Sequence, residues 1–184
     1  MKRAPIHLLA IATVLGAALA HAHASDAHEH GVSHLDVILD GPVLAIDFRG
    51  AGQHLAGFEH APGTADQLAA WQATIDGLGD ASALFTLPPE AGCAVQSADV
   101  VAPTASPPGH AAGHDHDHGH EPAHGGDWQA RYRFECTDAH QLTAIEVGLF
   151  TAFPAHEEVR YQRFSDSGQG GGTLVPGRTR LELR

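Results

Sequence analysis

Apolar residues alternate with polar ones at Leu35, Val37 and Leu39, the alternation breaks at Asp40-Gly41, and it resumes at Leu44, Ile46 and Phe48. Alternation of period two on both sides of an Asp-Gly pair predicts a β-hairpin. The period then lengthens. After Pro62, Thr64-x-x-Gln67 has the form of a capping box, and Leu68, Trp71, Ile75 and Leu78 recur at helical spacing before the sequence reaches Gly79. One amphipathic helix, spanning residues 64–78 and packed on the hairpin, is the expectation.

Strand-like pieces follow at 84–87 and 94–101. Beyond a Pro/Gly/His-rich stretch, residues 129–136 and 142–149 read as a strand pair, 150–154 as a short turn or helix, and 159–164 and 179–183 as further strands. Ala45-Ile46-Asp47-Phe48 and Ala144-Ile145-Glu146-Val147 occupy similar places in the two halves and hint at a duplicated unit. The fold class expected is α+β, with two small, mainly antiparallel sheet subdomains over 25–101 and 128–184. The stretch 102–127 between them has no apolar side chain larger than alanine or proline apart from its ends, so it cannot bury a core and reads as a disordered loop.

Residues 1–24 read as a cleavable secretory signal. Met1-Lys2-Arg3 is the positive start, Ile6 to Ala20 is apolar except for His7 and Thr13, and cleavage fits after either Ala20 or Ala24. The run is too short to span a bilayer comfortably, so no stable membrane insertion of the mature chain is expected. The formal charge is −12, and loss of Lys2 and Arg3, the former being the only lysine, makes it more negative. Such a surface disfavours nucleic acid and anionic lipid and favours cations. Cys93 and Cys136, an even pair in an exported chain, are most simply one disulfide enclosing the low-complexity stretch.

The chain carries 16 histidines, and their placement is the chemical signal. His110, His114, His116, His118, His120 and His124 fall in the central stretch, with Asp115 and Asp117 interleaved. Imidazole and carboxylate are ligands that borderline divalent ions such as Zn²⁺ accept. Ordering a flexible segment costs ~1–2 kcal/mol per residue, so ions held there should be bound loosely and exchangeably. A tighter site needs ligands on a rigid scaffold, and the candidates are His28, His30 and His34 before and within the first strand, with Glu59 and His60 in the turn leading to the helix. His54, His140 and His156 stand outside these clusters and read as surface residues. His156-Glu157 lacks the second histidine of H-E-x-x-H, and the glycines at Gly168 and Gly170 to Gly172 lack the Lys-Ser or Lys-Thr of a phosphate loop, so those read as a turn.

His28-Glu29-His30-Gly31-Val32, Gly57-Phe58-Glu59-His60-Ala61-Pro62, Tyr132-Arg133-Phe134-Glu135-Cys136 and Ser167-Gly168-Gln169-Gly170, together with the internal His/Asp tract, resemble the ZrgA family of periplasmic zinc-uptake proteins, long catalogued as a domain of unknown function. The resemblance covers nearly the whole mature chain. It implies zinc as the metal, a periplasmic location, a role beside an inner-membrane zinc importer and two related β-rich subdomains. It also gives weight to His28, His30, Glu59 and His60, which stand inside the matching motifs.

The function expected is therefore non-enzymatic: capture of Zn²⁺ and assistance with its uptake or delivery. A periplasmic buffer or detoxification protein for zinc, nickel or copper is the alternative, since ligand type alone does not separate these ions. No paired nucleophile and base supports a metal-assisted enzyme.

Overall fold

The computed structural model describes residues 31–103 and 127–184. The signal-like segment, His28, His30 and the histidines and aspartates of 104–126 lie outside the described residues.

The first alternating runs form strands β1 (Val32–Asp40) and β2 (Val43–Ala51), paired antiparallel around Gly41-Pro42. Their inward side chains Leu35, Val37, Leu44, Ile46 and Phe48 are buried. Strand β5 (Asp127–Cys136) repeats the alternation most fully, turning Trp128, Ala130, Tyr132, Phe134 and Cys136 inward and their neighbours outward. With β4 (Cys93–Val101), β7 (Glu158–Ser165) and β8 (Gly168–Leu174) these strands make a six-stranded sheet in the order β4-β5-β2-β1-β7-β8. Only the β1–β7 pairing within it is parallel. A second, antiparallel sheet consists of β3 (Phe85–Thr86), β6 (Ala144–Val147) and β9 (Arg180–Glu182) in the order β3-β6-β9. Phe85 lies edge-on to Tyr132, ring centroids 4.9 Å apart, which seats the small sheet on the inner face of the large one. Two mainly antiparallel sheets and one long helix are the α+β architecture that the hydrophobic pattern predicts.

Helix α2 (Ala65–Gly79) starts as its capping residues require, after the four-residue α1 (Gly52–Leu55). Thr64 Oγ1 accepts from the Gln67 N–H at 3.2 Å, and Gln67 Oε1 accepts from the Gly63 N–H at 2.8 Å. The Tyr132 hydroxyl donates to the Leu78 carbonyl at 2.8 Å and so pins the other end of the helix to β5. Because that end is the one held against the sheet, the buried helix face runs through Trp71, Thr74, Ile75 and Leu78. Leu68, expected in the same stripe, is 60 % exposed.

Two other expectations are corrected. Residues 129–136 and 142–149 do not pair with each other: β5 pairs with β2 and β4, and β6 with β3 and β9. The six-stranded sheet draws strands from both sides of the central stretch, and the two similar tetrapeptides lie in β2 and β6, one in each sheet. The glycine run is strand β8, which opens directly after a tight turn with Gly168 at φ +115°. Glycine is a poor strand former in general, but here the missing side chains make room, since a Cβ on Gly172 would meet the Tyr161 ring at 2.9–3.0 Å.

Cys93 and Cys136 are register partners on β4 and β5 and form the expected disulfide, with an S–S distance of 2.08 Å. Their separation of 43 residues sets the loop that the bond closes. Replacing both cysteines by serine is expected to lower the unfolding free energy by about 4 kcal/mol on the chain-entropy model, read as a fall in the urea midpoint. In the same assay Leu78→Ala should cost about 2–5 kcal/mol and Leu68→Ser less than about 0.5 kcal/mol. Equal costs for the two leucines would contradict the helix orientation described here.

Candidate metal centre

Trp128, Gly50, Ser33 and Val159 form one row of register partners across β5, β2, β1 and β7. This row marks the end of the sheet where several chain segments meet. β1 begins here, β2 ends here and continues into α1, and β7 begins here. Strand β4 also ends here, Val101 opposite Gln129, and β5 begins with Asp127 opposite Ala51. Both ends of the histidine-rich stretch are therefore fixed beside the point where the N-terminal chain enters β1.

Gly31 is held on both sides of its peptide unit. Its carbonyl accepts from the N–H groups of Glu157 and Glu158, both at 3.0 Å, and its own N–H donates to His54 Nε2. The residue has φ +79°, and a Cβ there would meet the Glu157 side chain at 3.1 Å, so both backbone conformation and space call for glycine. One residue into the strand, Ser33 is buried, and its Oγ lies 2.5 Å from His156 Nε2.

His156 is 2 % exposed and packed among rings: Phe153 at 6.1 Å, Phe48 at 6.3 Å and His54 at 6.3 Å between centroids. Its Nδ1 is buried and has no hydrogen-bond partner. Burial pushes the imidazole pKa down to about 4. The Phe153 backbone opposes that shift, and the nearby His54 adds to it. The ring is therefore neutral at ordinary pH, with one nitrogen engaged by Ser33 and the other unsatisfied. His54, on α1, is half-buried.

These two histidines correct the sequence reading, which treated both as surface residues. No local pattern marks them, because they are brought together only by the pairing of β1 with β7. His140, the third histidine so read, is exposed.

Of the expected ligands, His34 is exposed on the outer face of β1 between its register partners Arg49 and Arg160. Both arginines are ion-paired there, Arg49 with Asp36 at 3.3 Å and Arg160 with Glu158 at 2.7 Å. Glu59 and His60 are exposed in the turn before α2. His60 Nδ1 lies 2.8 Å from the Ala61 carbonyl, which fixes Nδ1 as the protonated nitrogen and leaves Nε2 with the lone pair. Its ring sits 5.2 Å from Phe58, Phe58 stacks at 6.0 Å on Trp71, and Trp71 lies 4.6 Å from Trp128. An aromatic series thus links His60 to the same row at the sheet end. Among the described residues, no group of three or more His, Cys, Asp or Glu side chains is placed to hold a metal ion.

The depressed His156 pKa sets an acid sensitivity for the metal-free protein. The unfolded histidine takes up a proton near pH 6.5 and the folded one only near 4, so the unfolded state binds more protons between these values and stability falls as pH is lowered through them. The expected loss is about 3 kcal/mol by pH 4, and His156→Gln should flatten that part of the profile in denaturant titrations run at a series of pH values. An unchanged slope in the variant would place the acid sensitivity elsewhere.

Among the described residues no helix is long and apolar enough to cross a membrane. No curated protein matches the chain. A family model, that of the ZrgA family zinc uptake protein, matches residues 27–183, a span that contains the motifs noted in the sequence, the histidine-rich stretch and every strand of both sheets. The chain belongs to the ZrgA family of zinc uptake proteins.

Proposed function

We propose that this protein works in the periplasm, after removal of its signal peptide, as a zinc-binding protein that captures Zn²⁺ and assists its uptake by an inner-membrane importer. The observation that carries this reading is the convergence of histidine-bearing segments at one end of the large sheet. The stretch bearing His110, His114, His116, His118, His120 and His124 leaves β4 and returns to β5 at this end, and His28 and His30 immediately precede Gly31. The turn carrying Glu59 and His60 follows α1 from the same place.

On this reading the central histidines, with Asp115 and Asp117, take up ions loosely, and a structured site at the sheet end receives them. His28, His30, Glu59 and His60 are its candidate ligands. The negative formal charge raises the local cation concentration. Zinc is cargo here, and the chain performs no bond-making or bond-breaking step on it.

Titration calorimetry of the metal-stripped mature protein tests the division of labour. Asparagine at the six central histidines should remove several weak sites and leave a tight one. Loss of all binding would make the scaffold inert, and absence of zinc binding from the unaltered protein would overturn the reading. Because imidazole must be deprotonated to ligate, and free histidine titrates near pKa ~6.5, the weak sites should lose affinity steeply between about pH 7.5 and about pH 5. Equal affinity at both ends of that range would argue against imidazole ligands. Delivery is tested by measuring zinc transfer to a purified importer with and without the central histidines.

A further inference from the structure

We infer that strand β8, the free edge of the six-stranded sheet, is a docking site for an extended, acidic segment of another protein, which adds to the sheet as a further strand. This surface plays no part in the zinc-binding reading and stands or falls apart from it.

An open sheet edge presents a row of backbone N–H and C=O groups to any chain that can pair with it, and proteins commonly blunt such edges with charge, proline, a bulge or a covering element. The two edges of the large sheet differ in this respect. Strand β4 carries Asp99, shifts register between Val95 and Ser97, and lies against helix α2. Strand β8, outermost on the other side, has no charged residue and no proline, and it keeps unbroken register with β7 from Val159 opposite Leu174 to Ser165 opposite Gly168. Of the two, β8 is the edge that remains open to strand addition.

What that edge suits is set by β7. Tyr161 and Arg163 are the register partners of Gly172 and Gly170, and their side-chain ends lie over those glycines. The Tyr161 hydroxyl is 2.9 Å, and the Arg163 guanidinium 3.1 Å, from the point where a Cβ on the respective glycine would stand. A strand added about 4.8 Å beyond β8 therefore meets a phenol and a guanidinium on this side of the sheet, in place of β8 side chains. Arg163 donates one N–H to the Leu183 carbonyl at 3.1 Å and has no carboxylate partner among the described residues. The half-buried Tyr161 has no hydrogen-bond partner for its hydroxyl among them either.

The charge around this edge is opposite in sign to that of the whole chain. From Val159 to Arg184 there are five arginines against Asp166 and Glu182, in a chain of formal charge −12. One of the five, Arg178, is exposed in the turn that follows β8. Opposite charges at cross-strand positions favour pairing, so carboxylates at alternate positions of the incoming strand complement Arg163 and Tyr161. A second copy of β8 does not supply them, because its residues on that side are Gly168, Gly170, Gly172 and Leu174.

The test uses the metal-free mature protein and two synthetic peptides, one alternating threonine with glutamate and the other alternating threonine with lysine. In ¹⁵N-labelled protein the glutamate peptide should shift the amide resonances of Gly170, Gly171 and Gly172 and slow their hydrogen exchange. By fluorescence anisotropy the lysine peptide should bind at least about tenfold more weakly, and Arg163→Gln should weaken binding of the glutamate peptide by about tenfold. Asp99→Asn, on the opposite edge, should leave it unchanged. Equal affinity for the two peptides, resonance shifts centred on another element, or no binding of either peptide overturns the proposal. So does a dimer of the peptide-free protein, seen in sedimentation, whose formation protects the same three glycine amides, since that assigns the edge to a second copy. The peptide comparison is made on the unaltered chain, so a folding defect in Arg163→Gln does not remove the test.

Discussion

The parallel pairing of β1 with β7 is the constraint on which the rest of this molecule depends. It joins Val32–Ile38 to Glu158–Phe164, segments from opposite ends of the chain, in a sheet whose other pairings are antiparallel. Through it the Gly31 carbonyl gains two N–H donors, Ser33 comes to lie against His156, and His156 comes to lie beside His54. Closing so long a loop is entropically costly, and the cost is offset by burial of Leu35, Val37 and Val159 along the shared strand faces.

The local structure was legible wherever one period or one capping pattern decided it. The hairpin follows from Leu35 to Phe48, the helix from Thr64 and Gln67, and the disulfide from a lone cysteine pair behind a signal-like start. What could not be read depends on partners remote in sequence. The pairing of β5 with β2 is not written in either strand, since both alternate and either would suit another neighbour. Strand β8 is glycine-rich because Tyr161 lies across it, and nothing in the glycine run announces that. Likewise His54 and His156 carry no spacing signal: the more than one hundred residues between them are closed only by tertiary structure.

Histidine is placed in two different ways in this chain: densely in the sequence of the central tract, and singly at the sheet end, where His54 and His156 are held by the fold. The central histidines are numerous and close in sequence, which suits the loose, exchangeable capture proposed for them. The sheet-end histidines are few and held by backbone hydrogen bonds, packed rings and a buried hydroxyl, which favours defined geometry. The first kind can be seen in composition; the second exists only after folding. A family motif such as His28-Glu29-His30-Gly31-Val32 spans both, with histidines ahead of the strand and a glycine whose positive φ fixes where they join it.

The histidine-rich stretch is spliced into a strand pair that is already complete without it. β4 and β5 pair from Cys93 opposite Cys136 to Val101 opposite Gln129, with one register shift between Val95 and Ser97 and the disulfide at the far end. Lengthening a loop between two such fixed points costs only ~0.6 kcal/mol for each doubling. Mutation can thus lengthen, shorten or re-space the tract with little penalty to the scaffold, whereas a change at Gly31 or Ser33 alters the sheet itself. If the tract captures zinc as proposed, its capacity is a trait heritable apart from the scaffold, free to drift while the integrity of the fold is kept by other residues.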